Sequence, residues 1–138
     1  MIAFTSALAD DEMLIEVRIP MPTGRSGGAY LKLERKVGDY ATVAVASHLE
    51  LDHGGTITRA GLALTSVNST NHKVTDAEAL LVGNAPDDEL FAEAGELAAT
   101  AADPRDDVRG TAKWKRQIVR VYTRRALAAA ADQAGASQ

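Results

Sequence analysis

All of the alternating apolar segments in this chain come before all of its segments with helical periodicity, and this order limits the folds open to it. Between residues 15 and 67, apolar side chains recur at every second position, as in half-buried strands. From residue 75 onward they recur at helical spacing. A wound α/β fold would alternate the two patterns. The order therefore predicts the α+β class, with a small antiparallel β-sheet of three to four strands and the helices segregated against it.

Four strands are predicted, over residues 15–19, 30–34, about 42–51 and 56–67. Pro20 and Pro22 end the first strand, and Asp52–Gly55 is a turn signal that predicts an antiparallel hairpin between the last two. The glycines of Thr23–Gly28 could cradle a phosphate. That segment lacks the strand–loop–helix setting and the glycine spacing of a dinucleotide site, so a connecting loop is the favoured interpretation.

Three helices are predicted: one from Thr75 that stops at Gly83, one from Pro86 that ends at Asp103, and one from near Thr111 that fades before Gly135. Thr75–Glu78 has the form of a capping box, in which the Thr75 hydroxyl caps the helix and Glu78 reaches back. Glycine just past a helix end and acidic residues in a first turn support the other boundaries.

The last predicted helix is strongly basic. Residues 109–125 contain seven lysines and arginines and no acid, whereas the rest of the chain holds eight basic residues against all 19 acids. Three interpretations stay open: a solvated face, an interface with an acidic partner or with the domain's own acidic surface, and nucleic-acid binding. A sequence pI near 5.3 makes nucleic acid the least favoured of the three.

A helical projection divides this last segment into two faces. Its apolar side carries Trp114, Ile118, Val121, Tyr122 and Ala129, and this side is expected to be buried. Arg116, Arg120 and Arg124 follow one another on the opposite side. Arg125 falls inside the apolar stripe, so the projection predicts a carboxylate partner or a subunit contact for its guanidinium.

The composition excludes several kinds of site. There is no cysteine, so the 138 residues cannot form disulfides, thiolate zinc sites or cysteine-ligated iron–sulfur clusters. His48, His53 and His72 have no metal-ligand spacing, and no metal site is predicted. No apolar run has the length of a membrane span. A single domain over residues 1–138, cytoplasmic and without a self-contained catalytic site, is the resulting expectation.

Four segments, in order along the chain, resemble one family. Residues 30–43 are similar to its Tyr-x-Lys, Arg-Lys/Arg and Asp-aromatic/aliphatic-Ala signature, and residues 79–83 to its Ala-x-x-Leu-x-Gly helix. Residues 107–116 are similar to its Asp-x-Arg-Gly-Ser-Ala-x-Tyr run, and residues 8–20 to its entry segment. The family is the C-terminal domain of the FAD-binding (medium) subunit of molybdenum hydroxylases, which include carbon monoxide dehydrogenase and xanthine dehydrogenase.

The resemblance implies a small antiparallel sheet beside a three-helix bundle and assigns three cofactor-binding residues. In the family, the loop after the second strand approaches the isoalloxazine ring of FAD. Carried over, Tyr40 covers or edges the flavin, Asp39 holds the loop, and Lys32 lies near the polar side of the ring. An aromatic face and a nearby cation tune a flavin without performing its chemistry. The alternative for Tyr40 is an aromatic at a strand edge, packed on the sheet.

The resemblance also implies a function within an assembly. The chain is expected to be the C-terminal part of a split or truncated FAD-binding subunit. Electrons from a molybdenum cofactor would cross 2Fe-2S clusters, both on partner subunits, and reach FAD. The family's glycine-rich FAD-binding turns are absent from this sequence, so FAD is expected only together with the missing FAD-binding domains. Homo-oligomerisation is possible. The alternative is a stand-alone interaction or accessory domain that keeps the fold without flavin.

Overall fold

The structure, a computed structural model, describes residues 6–22 and 24–136 and contains one antiparallel sheet. Its strands are β1 (Arg25–Leu33), β2 (Val43–Leu51), β3 (Ile57–Thr65) and β4 (His72–Lys73). They lie in the order β1-β2-β3-β4, and each is antiparallel to its neighbour. The predicted hairpin across residues 52–55 is therefore confirmed, because β2 pairs with β3.

Three helices cover the sheet: α1 (Thr75–Leu81), α2 (Asp88–Ala101) and α3 (Ala112–Ala136). The long helix α3 packs on β1, β2 and α2, while α1 packs between β3 and α2. This arrangement confirms the predicted α+β class, with a small antiparallel sheet beside three helices. Within the described ranges, no helix is both long and apolar enough to cross a membrane.

The core lies where β2 and β3 face the helices. Val43, Val45 and Leu49 are fully buried on the helix side of β2, and Leu127 of α3 is buried with them. Because α3 presents mostly alanines to the sheet, its backbone lies close to the strands. Gly27 marks the closest approach: a Cβ there would overlap the carbonyl oxygen of Ala130.

The predicted strand over residues 15–19 is wrong. The segment has no regular secondary structure, no strand pairs with it within the described part of the chain, and Ile15, Val17 and Ile19 are 82%, 73% and 83% exposed. Alternation predicts extended backbone, but a strand also needs a neighbour for its N–H and C=O groups. The fourth strand of the sheet is β4, which was not among the predicted strands.

The predicted loop at the start of β1 is also corrected. Thr23 lies outside the described residues, while Arg25–Gly28 forms the first part of β1. Glycine is needed in this stretch for close packing, because α3 leaves no room for a side chain at Gly27. The N–H of Gly28 donates to Oε1 of Gln133 at 2.7 Å, so that amide is satisfied by α3.

Helix α1 is confirmed, but its capping box is not. The N-cap residue is Val74, and no side chain caps the helix. Glu78 is buried and turns toward the sheet, where its Oε1 accepts a hydrogen bond from the Leu62 N–H at 2.9 Å. Its Oε2 pairs with Lys73 at 3.1 Å. A buried carboxylate needs strong hydrogen-bond donors, and the donors that reach Glu78 lie on β3 and β4.

The buried face of α3 differs from the predicted one. Its buried residues are Lys115, Val119, Thr123, Ala126, Leu127, Ala130 and Ala134. Trp114 is 42% exposed and Arg125 is exposed, so neither is buried within the chain, and a subunit contact for Arg125 stays a prediction. The buried cation is Lys115. Its methylene stem packs inside while its ammonium group reaches acceptors at the helix start, as long basic side chains commonly do.

Candidate functional site

The connection between β1 and β2 is a projecting turn over residues 34–42. The Asp39 N–H donates to the Lys36 carbonyl at 3.1 Å, and Gly38 adopts φ +83° to permit this turn. At its base, the Thr42 N–H donates to the Leu33 carbonyl at 2.7 Å. The turn therefore has internal hydrogen bonds that fix where Asp39 and Tyr40 lie.

Asp39 is the centre of the turn's hydrogen-bond network. Its Oδ1 accepts from the N–H of Tyr40 at 2.8 Å, and its Oδ2 accepts from Nε of Arg35 at 3.3 Å. Nη2 of Arg109 lies 3.3 Å from the same Oδ1. The backbone hydrogen bond from Tyr40, followed by the two guanidinium groups, holds the pKa of Asp39 below its ordinary value.

Arg109 joins this turn to the loop before α3. Its Nη1 donates to the carbonyl oxygens of Tyr40 at 2.8 Å and Ala41 at 3.3 Å. These residues are 69 and 68 positions away along the chain. Arg109 was not among the predicted site residues. Arg109 does belong to residues 107–116, which resemble a motif of the family. Only the fold places that segment against the turn.

Tyr40 projects from the turn into solvent. It lies outside the strands and is 78% exposed, so it is not an aromatic packed on the sheet. An exposed ring on a turn with a hydrogen-bonded backbone is suited to lie against a flat apolar partner. Residues 34–42, held by Asp39 and Arg109, thus form one structural unit, which we call the Tyr40 turn.

Lys32 belongs to a separate ion pair. It lies near the end of β1, and its Nζ is 2.5 Å from Oε2 of Glu34. Both side chains are partly buried, with 31% and 25% of the Lys32 and Glu34 side-chain surface exposed. Lys32 therefore places a positive charge near the end of β1, just before the Tyr40 turn.

The loop before α3 is fixed from the helix side. Nζ of buried Lys115 lies 2.7 Å from Oδ2 of Asp107 and 2.8 Å from the Arg105 carbonyl oxygen. Oδ1 of Asp107 in turn accepts from the N–H of Arg109 at 2.8 Å. The hydrogen bond from Lys115, followed by that from the Arg109 N–H, lowers the pKa of Asp107. Sequence reasoning missed this network, because a lysine is ordinarily assigned to the solvated side of a helix.

The outward arginines of α3 meet the domain's own acids. Arg120 pairs with Glu96 of α2. Arg124 lies 3.2 Å from Asp88 at the start of α2, and Arg116 lies 3.9 Å from Asp103 just after it. Of the three interpretations of the basic row, the structure favours an interface with the domain's own acidic surface.

The described residues fit one part of a flavin site and not the other. An exposed aromatic on a fixed turn fits the wall of an isoalloxazine ring, and Lys32 supplies a cation on β1, the strand that leads into this turn. The glycines of β1 do not fit a phosphate cradle, because Gly27 packs against α3 and the Gly28 N–H is bonded to Gln133. The pyrophosphate of FAD would need other residues.

Comparison with known proteins identifies the fold's relatives. The family model of the CO dehydrogenase flavoprotein C-terminal domain matches residues 28–130. The chain is 38% identical over 125 residues to the carbon monoxide dehydrogenase medium chain of Afipia carboxidovorans, covering 91% of this chain and 43% of that one. It is 31% identical to the 6-hydroxypseudooxynicotine dehydrogenase complex subunit alpha of Paenarthrobacter nicotinovorans, covering 95% and 44%.

A solved structure agrees with this result. The carbon monoxide dehydrogenase from Hydrogenophaga pseudoflava that lacks the Mo-pyranopterin moiety of the molybdenum cofactor superposes with a TM-score of 0.87 at 35% identity. The alignment covers 94% of this chain and 45% of that one, so the chain spans less than half the length of the relatives it matches. The chain belongs to the family of CO dehydrogenase flavoprotein C-terminal domains, found in the FAD-containing medium subunits of molybdenum hydroxylases.

Proposed function

We propose that this chain acts as the C-terminal part of a split or truncated FAD-binding subunit of a molybdenum hydroxylase, where it closes over the flavin and contacts other subunits. When bound, FAD supplies the redox chemistry that connects the 2Fe-2S clusters and molybdenum cofactor of partner subunits with an external electron acceptor. The proposal places the assembly in the cytoplasm. In this role the chain contributes binding and orientation rather than reacting groups.

The observation that carries the proposal is the exposed Tyr40 on a turn with fixed backbone. Tyr40 is 78% exposed, yet the carboxylate of Asp39 and the guanidinium of Arg109 both bind the backbone beside it. A ring held in this way gains little from the domain's own core. It gains more by stacking on, or meeting the edge of, a flat aromatic ligand.

Lys32 has a supporting role in this proposal. Its ammonium group, paired with Glu34, gives a partly buried positive charge on β1. A cation near the polar side of an isoalloxazine ring stabilises added negative charge there. Asp39 does not touch the ligand in this proposal; it holds the turn.

Reconstitution tests the proposal. The chain is co-expressed with the remaining domains of a family medium subunit and with candidate molybdenum and iron–sulfur subunits, and the purified complex is examined by visible absorption. We expect flavin bands that depend on this chain. A well-folded, colourless product that captures no partner would contradict the proposal and favour the stand-alone accessory domain.

A matched pair of variants then tests the residue assignment. Tyr40→Ala is expected to weaken FAD retention by about tenfold, as the loss of one aromatic contact predicts. Tyr30→Ala removes another exposed tyrosine, on β1, and is expected to retain FAD as the wild type does. Equal FAD retention by both variants would exclude Tyr40 as a flavin contact.

A further inference from the structure

The Tyr40 turn is held by a residue that touches the backbone rather than the ring. Nη1 of Arg109 donates to the carbonyl oxygens of Tyr40 and Ala41, at 2.8 and 3.3 Å. Carbonyl acceptors fix the path of the chain, and so they fix the direction in which the Tyr40 side chain leaves it. The same guanidinium places Nη2 3.3 Å from Oδ1 of Asp39. A planar fork can satisfy all three acceptors together.

Arg109 is itself held from the core of the domain. Its N–H donates to Asp107, and the other oxygen of Asp107 pairs with Nζ of Lys115 at 2.7 Å. Lys115 is 3% exposed and also donates to the Arg105 carbonyl. A continuous series of hydrogen bonds therefore runs from the buried face of α3 through Asp107 and Arg109 to the backbone of Tyr40.

This series stabilises an arrangement that exposes apolar surface. Only 21% of the Arg109 side chain is exposed, whereas Tyr40 is 78% exposed and Val108, the residue before Arg109, is 94% exposed. Burying a guanidinium is costly unless it is well hydrogen-bonded. Here the hydrogen bonds of the guanidinium hold a segment whose side chains stay exposed, which is expected where an orientation, not a core, is being stabilised.

We propose that Arg109 is a positioning residue for the flavin: it sets the orientation of the Tyr40 ring against the isoalloxazine by binding the Tyr40 and Ala41 carbonyl oxygens. The inference rests on the proposed function and adds to it a residue that acts through Tyr40. Arg109 contacts neither the cofactor nor the reacting atoms. Its effect on the flavin is carried by the backbone of the turn.

The test uses the complete FAD-containing complex. Arg109→Lys keeps the positive charge but replaces the planar fork with a single ammonium group, which does not reproduce the three contacts. We expect FAD to be retained about tenfold less tightly, as the loss of one charge-assisted hydrogen bond predicts. The flavin absorption band is expected to shift toward that of Tyr40→Ala. Arg59→Lys is the matched control, because Arg59 pairs with Glu50 on the sheet at 3.2 Å, and it should retain FAD normally.

A double variant separates positioning from general stability. If Arg109 acts through Tyr40, adding Arg109→Lys to Tyr40→Ala causes no further loss of FAD. An equal loss in both backgrounds, or no loss in the wild-type background, would overturn the positioning role while leaving the proposed function intact. A wild-type complex that binds no flavin would overturn the proposed function and this inference together. Should Arg109→Lys fail to assemble, Asp39→Asn removes the charge facing Arg109, and its band should shift in the same direction.

Discussion

Gly27 of β1 and Ala130 of α3 lie in direct backbone contact. A Cβ at Gly27 would overlap the Ala130 carbonyl oxygen and would lie 2.6 Å from the backbone nitrogen of Ala134. Beside this contact, the Arg25 guanidinium donates to the Ala134 and Gly135 carbonyl oxygens at 3.2 Å each. Carbonyl groups at the end of a helix have no helical partners, and here Arg25 of β1 supplies their hydrogen-bond donors.

Gly27→Ala is therefore expected to be destabilising. The added methyl group forces β1 and α3 apart, and overpacking of this kind costs roughly 1–3 kcal/mol. Urea unfolding of the 138-residue chain measures the change in the free energy of unfolding. Gly61→Ala is the matched control on β3, since its Cβ would meet only the Cβ of His48, at 3.7 Å. Equal unfolding midpoints for the two variants would show that α3 does not lie this close to β1.

Gly95→Ala tests the second close contact, between α2 and α3. Alanine is favoured over glycine in a helix by about 1 kcal/mol, so propensity alone predicts a more stable protein. A Cβ at Gly95, however, would lie 2.9 Å from the carbonyl oxygen of Arg120. We expect the clash to win and the variant to melt at a lower temperature than the wild type. Gly135→Ala, whose Cβ would meet only Arg25 at 3.9 Å, should melt at the same or a higher temperature.

The segment before β1 gives a prediction for proteolysis. Residues 12–22 form neither helix nor strand and lie outside the sheet, and the Arg18 side chain is 85% exposed. Trypsin needs an accessible segment without regular structure, so the bond after Arg18 should be cut well before the bond after Arg59 in β3. Mass spectrometry of early digests identifies the sites. Comparable protection at the two arginines would mean that this segment is paired or covered in solution.

Local signals were enough to predict most of the fold. The acidic residues after Pro86, the turn over residues 52–55 and the glycine at 83 each act within a few residues, and the structure has the corresponding helix start, hairpin and helix end. It was harder to predict whether an exposed segment pairs with a neighbouring strand. Whether residues 15–19 form a strand depends on a neighbouring strand, and the pattern of the segment contains no information about that neighbour.

The candidate site was predicted less completely, for a physical reason. Tyr40 and Asp39 were proposed as site residues because the resemblance names their positions, but their structural support comes from Arg109, 69 positions or more away. Lys115 was missed because a lysine is ordinarily assigned to the solvated side of a helix. Its burial becomes favourable only when Asp107 and the Arg105 carbonyl are brought to its ammonium group. Such contacts are properties of the fold rather than of a segment.

The Lys115–Asp107 pair gives a prediction for stability against pH. The pKa of Asp107 is lowered from 3.8 in the folded chain, chiefly by the hydrogen bond from Lys115. The unfolded chain then binds this proton more readily than the folded one. The stabilisation that the pair gives is complete above the pKa of Asp107 in the unfolded chain. It is lost as the pH falls through the pKa of Asp107 in the folded chain. Lys115→Met keeps the buried stem and removes the charge, so it should be less stable near neutral pH, where the lost bond to the Arg105 carbonyl alone costs roughly 1.5–3 kcal/mol.

The shape of the pH profile distinguishes this pairing from a simple packing defect. Below about pH 4 the free energy of unfolding should fall less steeply for Lys115→Met than for the wild type, so that the two curves approach each other in acid. Lys113→Met, at an exposed position two residues earlier, should follow the wild-type curve throughout. Urea unfolding at a series of pH values gives all three curves. Parallel curves for Lys115→Met and the wild type would show that the titration of Asp107 does not depend on the charge of Lys115.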